Sequence, residues 1–126
     1  MPKVRPAPQS RDVIDESQCH SACATIELIG RRWNSAILLA LGRGAARFGE
    51  IRAMAEGLSD RMLALRLKEL ERAGLVSRTV EPTTPVSVRY GLTTRGQELL
   101  AALQPLVAYG HRWEHSPEPS GQRART

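Results

Sequence analysis

Between residues 18 and 115 the apolar positions recur with a helical period, then alternate, then return to the helical period. That switch predicts a mostly helical α+β domain. Two helical stretches lie around Ala22 to Gly30 and Trp33 to Leu41. The second is apolar nearly all round, as a helix buried on most sides is, and Gly42 and Gly44 end it. A short extended piece, Ala46 to Phe48, leads into a brief helix from about Gly49 to Ala55 with Phe48, Ile51 and Ala55 on one face. Glu56-Gly57-Leu58 then makes a three-residue turn containing glycine.

The next element has both ends written into the sequence. Ser59 stands where an N-cap hydroxyl accepts a free amide, Asp60 favours the positive end of the helix dipole, and Leu58 can staple onto Leu63. At the far end Gly74 supplies a left-handed residue and Leu75 an apolar one that folds back on Leu70, so the helix runs from Asp60 to about Ala73. Val76 to Val80 and the alternation of Val86, Val88, Tyr90 and Leu92 predict two strands. Glu81-Pro82-Thr83-Thr84-Pro85 joins them as a hairpin with a stiff tip. From Thr93 or Thr94 a last helix lines up Leu99, Leu100, Leu103, Leu106, Val107, Gly110 and Trp113, and Pro105 is expected to kink or split it. Residues 1–17 and 116–126, with their prolines and few large apolar side chains, read as mobile tails around a domain at 18–115.

Charge narrows the partner. The chain carries 18 Lys+Arg against 13 Asp+Glu, a formal charge of +5, and from Arg43 to Arg95 there are ten basic and six acidic residues. The excess therefore belongs to the folded core and favours a polyanion. Sixteen of the eighteen basic residues are Arg, a skew that genome composition produces as readily as phosphate binding does. Five scattered aromatics are too few for the stacking platforms of single-strand binders. The longest apolar run, Ala36 to Leu41, cannot span a bilayer, and the first twenty residues lack the apolar stretch of a signal peptide; a cytoplasmic protein with no membrane partner is expected.

A short helix, a glycine-containing turn, a capped helix and a β-hairpin is the order of a winged helix-turn-helix, whose second helix enters the major groove of duplex DNA. On a helical wheel Leu63, Leu67 and Leu70 point one way, and Arg61, Leu65, Lys68 and Arg72 cluster on the other. Ser59 and Met62 at the helix entrance, Thr83 and Thr84 at the hairpin tip and Arg89 on the outward face of the second strand complete the candidate DNA-binding surface. The stripe of Leu103, Leu106, Val107 and Trp113 exceeds what one small core can cover and predicts a homodimer interface.

In these motifs the chain resembles the HxlR-type winged-helix transcription regulators, near the MarR group. The resemblance runs from Cys19 to Trp113 through Leu28-Ile29-Gly30-Arg31-Arg32-Trp33, Arg47-Phe48-Gly49-Glu50-Ile51, Leu58 to Leu63, Arg66 to Leu70, Gly74-Leu75-Val76, Val88 to Thr93 and Gly96. It implies a bacterial DNA-binding regulator, dimeric through its first and last helices, often with a sensing cysteine just before the first helix. The sequence departs from the pattern at Leu65, where many relatives have a polar residue, at Val86 and Arg89, and in cysteine spacing: Cys19 lies fourteen residues before Trp33 and Cys23 ten.

Cys19 and Cys23 are too few for a disulfide scaffold. They read either as sensors of oxidants or electrophiles, favoured by a helix N-terminus and His20, or as inert thiols. With His111 and His115 they have the spacing of a zinc site only if the two helices meet, and no metal or other cofactor is predicted. No phosphate loop, nucleophile elbow or paired carboxylates point to an enzyme. The expected function is a DNA-binding regulator, most simply a repressor at a pseudo-palindromic operator, answering a redox, electrophile or small-molecule effector. The alternatives are a winged-helix protein-interaction module without DNA binding and a small cysteine enzyme.

Overall fold

The most apolar stretch of the chain forms its centre. In the computed structural model, which describes residues 14–114, five helices and one hairpin follow in the order α1 (Glu16–Gly30), α2 (Asn34–Gly42), α3 (Phe48–Met54), α4 (Asp60–Arg72), β1 (Val76–Glu81), β2 (Ser87–Leu92) and α5 (Thr94–Glu114). Ile37, Leu38, Ala40 and Leu41 of α2 are buried, and α1, α3, α4, α5 and β2 all pack on this helix. Ile51, Ala55, Leu58, Leu63, Leu67, Leu70, Leu75 and Val76 close the core around it.

Both ends of α4 form as its sequence dictates. The Ser59 hydroxyl accepts the Met62 N–H at 3.1 Å. Gly74 has φ 81°, and the Leu75 and Gly74 amides donate to the Leu70 and Glu71 carbonyls, each at 3.0 Å, which is a Schellman cap. The strands pair antiparallel from Val76↔Leu92 to Glu81↔Ser87. The Tyr90 N–H also donates to the Ala46 carbonyl at 2.7 Å, so the extended piece before α3 adds one rung to the hairpin. The Thr84–Pro85 peptide at the tip is cis. Gly96 lets α5 lie directly against the hairpin's root, since a Cβ there would sit 2.1 Å from the Leu75 carbonyl oxygen.

Two expectations change. The first helix starts at Glu16, not near Ala22. Asp15 caps it by accepting the Gln18 N–H at 2.8 Å, and Gln18 accepts the Asp15 N–H at 3.0 Å in return. Nor does Pro105 split the last helix: α5 is continuous through it. The proline is exposed, and the turns before it are already held on the core by Leu99, Leu100 and Leu103. The residues expected as tails, except 14–17, lie outside the described residues.

Candidate nucleic-acid interface

The leucines of α4 turn into the core and leave a cationic face outside. Leu63, Leu67 and Leu70 are buried, whereas Arg61, Lys68 and Arg72 are exposed and Leu65 among them keeps half of its surface. None of the three cations has an ion pair within the described residues. Of the two other residues expected at the helix entrance, Ser59 uses its hydroxyl as the cap of α4 and Met62 packs half-buried against the core.

The hairpin sorts its cations into two kinds. On its outer face Glu81 accepts Arg89 Nε and Arg47 Nη1, each at 3.2 Å. Ser87 joins the same cluster through Arg47 and Glu81. These hydrogen bonds, Arg89's first, hold the Glu81 carboxyl below the ordinary glutamate range. Arg89 is thus tied to the wing, with its guanidinium already neutralised on one side. Thr83 donates its hydroxyl to the Pro85 carbonyl at 2.7 Å, which shapes the tip, and Thr84 is exposed. Glu50 is lowered likewise, by the Ala46 and Arg47 amides that it accepts at the start of α3.

Arg78 is a candidate that sequence reasoning missed. It pairs with Tyr90 across the hairpin, on the same strand face as the buried Val76, and so points toward α4. With Lys68, Glu71 and Tyr90 it lines a cleft of about 410 Å³ between α4 and the hairpin. Arg78 has no ion pair among the described residues. The period-two alternation of β1 was the available signal. Arg61, Leu65, Lys68, Arg72 and Arg78 therefore span α4 and the inner face of the hairpin, an arrangement able to hold base edges at the helix and phosphates along it.

The thiols lie far along the chain from this surface. Cys19 and Cys23 are free and exposed, one turn apart in α1. Because α1 begins at Glu16, Cys19 is its fourth residue, and the Cys19 N–H is already bonded to the Asp15 carbonyl at 2.9 Å. A hydrogen bond with Cys19 is the main cause that raises the Cys23 thiol above its ordinary range. Among the described residues no three His, Cys, Asp or Glu side chains gather as a metal site; His115, the fourth residue of the zinc arrangement considered, lies outside them. No helix among the described residues is long and apolar enough to cross a membrane.

Of the stripe expected to join two subunits, Leu103 is buried in this chain's own core. Leu106, Val107 and Trp113 are exposed, Trp113 by 52%. Helix α1 contributes no buried residue at all and leaves Ile26 61% exposed.

The family model described as HxlR-like helix-turn-helix matches residues 28–118. The chain is 34% identical over 113 residues to an HTH-type transcriptional regulator of Methanothermobacter thermautotrophicus, covering 90% of this chain and 86% of that one. It is 40% identical over 100 residues to the HTH-type transcriptional regulator YodB of Bacillus subtilis, covering 79% and 89%. The solved structure of reduced YodB superposes with a TM-score of 0.70 at 39% identity, over 79% of this chain and 98% of that one. Diamide-treated YodB gives 0.65 at 40% identity, over 80% and 97%. The redox regulator HypR in its reduced form gives 0.70 at 30% identity, over 75% and 94%.

Proposed function

This chain belongs to the HxlR-like helix-turn-helix family, and from that premise we propose that it binds a pseudo-palindromic operator as a homodimer and represses transcription by occluding a promoter. The observation that carries this reading is the set of unpaired cations on α4 and β1, with the apolar Leu65 between them. Arg61 stands near the N-terminus of α4, where a helix in the major groove meets base edges. Leu65 suits the methyl group of a thymine. Lys68, Arg72 and Arg78 suit phosphates. In a two-fold dimer the two α4 helices lie about 34–36 Å apart, one turn of duplex, so that each reads half of the operator. The exposed residues of α1 and of α5 beyond Leu103 supply the subunit contact.

The input is a thiol-directed signal at Cys19 and Cys23. The relatives named a redox regulator and crystallised after diamide treatment support this reading. Diamide takes up two electrons and two protons from a pair of thiols, leaving one S–S bond and the reduced hydrazine. Within one helix Cys19 and Cys23 have Cα atoms roughly 6 Å apart, but helical side-chain directions strain a bond inside the pair. A bridge between subunits, or an adduct on a single thiol, is the favoured product.

The test is selection of bound fragments from the source genome, followed by titration of the best fragment at several salt concentrations, with and without diamide. The reading requires a palindromic site, an affinity that falls steeply with salt, and a loss of affinity with diamide that Cys19→Ser/Cys23→Ser abolishes. Binding that ignores salt and sequence would favour the protein-interaction module. A response to diamide that persists in the double variant would move the input to a ligand held between the helices.

A further inference from the structure

We propose that Glu69 is the positioning residue through which α1, the helix that carries the thiols, sets the angle of α4. The inference rests on the reading of α4 as the DNA-binding helix and α1 as the input. Helix α1 buries no residue and packs chiefly on α2. A displacement of α1 therefore reaches the rest of the domain through its last turn and the junction at residues 28–34.

Among the described residues that junction is bonded to α4 through Glu69 and Arg66. Glu69 accepts Arg31 Nε at 2.9 Å, Arg66 Nη1 at 3.3 Å and Asn34 Nδ2 at 3.3 Å. The same Asn34 amide donates to the Leu28 carbonyl at 2.8 Å, and Arg66 Nε donates to the Arg32 carbonyl at 3.1 Å. The last turn of α1, the first residue of α2 and two residues of α4 are thus joined in one polar node. Glu69 lies on the reading helix directly beside Lys68, yet its charge is turned back into the scaffold.

Two further features make the node a junction with alternatives. Trp33, between Arg32 and Asn34, is a non-glycine residue in the left-handed region, at φ 80°. Its ring lies under the Arg32 guanidinium, 4.9 Å from the centroid, and comes within 3.3 Å of where a Cβ on Gly57 would stand, in the turn before α4. Asn34 is fully buried, and its Oδ1 has no hydrogen-bond partner. A buried acceptor left empty is costly, so the node holds a place for a second arrangement in which an arginine N–H moves onto Oδ1. A shift of α1 that drew Arg31 off Glu69 would release α4 from its present angle and carry Leu65, Lys68 and Arg72 with it.

The experiment uses N-ethylmaleimide on the full chain. The sulfur of an exposed thiol adds across the maleimide double bond, and the proton ends on the neighbouring carbon. Wild type, Arg31→Ala, Glu69→Gln and Glu69→Ala are compared by hydrogen exchange of residues 60–72 and by affinity for the selected DNA fragment. In wild type the adduct should lower protection across α4 and weaken DNA binding about fivefold or more, the scale of an ordinary coupling between sites. In Arg31→Ala and Glu69→Ala both readouts should ignore the adduct. Glu69→Gln, which keeps the acceptor for Asn34, should respond partially, an outcome that simple loss of stability does not produce. Arg31 is largely exposed, so its variant carries the test if Glu69→Ala does not fold. An unresponsive α4 in the wild type, or the same response in Arg31→Ala as in wild type, overturns the proposal. Exchange needs no DNA: an α4 that responds through Glu69 in a protein that binds no DNA would overturn the proposed function and leave the coupling in place.

Discussion

Helices α1 and α4 differ by two residues in length but are held in opposite ways. Helix α4 drives Leu63, Leu67 and Leu70 into the core and is closed at both ends by local caps. Helix α1 has a capping box at its start and no buried side chain. What stabilises α4 as a helix is inside the chain, so it can present charge to a ligand while its angle answers to the node at Glu69. What α1 lacks must come from outside, which makes it the element whose position a partner subunit or a chemical event can change.

The largest effect that could break this contrast is a core truncation. Leu67→Ala on α4 should cost about 2–5 kcal/mol in urea unfolding, while Ile26→Ala on α1 should stay within roughly 0.5 kcal/mol for the isolated chain, as surface substitutions do. Equal costs would mean that α1 is anchored as firmly as α4.

The outer part of α5 comes next. Leu106, 56% exposed, lies beyond the last core residue of that helix, Leu103. Leu106→Asp should give monomers or insoluble protein in sedimentation, with operator affinity lost as the two reading heads separate. A wild type that is monomeric and fully DNA-competent would remove the two-head arrangement.

On the α4 face the effects are smaller and more specific. Arg61→Ala should weaken operator binding by about 1–3 kcal/mol and relax preference at one position per half-site. Leu65→Gln should shift the selected base toward adenine, and an unchanged selection profile would assign Leu65 to packing.

The smallest effect separates the wing from the reading face. Glu81 is held below the ordinary glutamate range by Arg89 and Arg47, so the stabilisation from its carboxylate is complete above the unfolded-state value. It is lost as pH falls through the lower folded-state value. The carboxyl resonance of Glu81 should titrate below the ordinary range in wild type and move back toward it in Arg89→Ala. No movement would show that Arg89 is not part of the clamp.

Much of α4 and little of α1 was legible in the sequence, for the same reason. The boundaries of α4 are set by Ser59 and by Gly74-Leu75, and its faces by leucines at helical spacing; all of these are local signals. In helix α1 the helical period of Ala22, Ile26 and Ile29 marks only the second half, and the polar first turns from Glu16 carry no such signal. Its start lay in the pair Asp15 and Gln18, a weaker sign than a hydrophobic pattern. The winged helix-turn-helix order was readable because each piece is short and ends in a glycine or a cap. Tertiary pairings were not readable. Arg78 and Arg89 look alike in sequence, and only the hairpin register places one toward α4 and the other beside Glu81. Glu69 reads as a charge offsetting Lys68 until Arg31 and Asn34 are seen to hold it. Leu103 and Leu106 share a stripe, and only the packing of α5 on α2 divides them into core and surface.

In the proposed function Lys68, Arg72 and Arg78 meet the phosphates while Arg89 serves the wing. The most direct test is the slope of operator affinity against salt, measured on one duplex for wild type, Lys68→Ala, Arg72→Ala, Arg78→Ala and Arg89→Ala. The wild-type slope should be steep, each of the first three variants should lower it by about one unit, as the loss of one phosphate contact does, and Arg89→Ala should leave it unchanged. A slope that falls for Arg89→Ala and holds for Lys68→Ala, Arg72→Ala and Arg78→Ala would contradict that assignment.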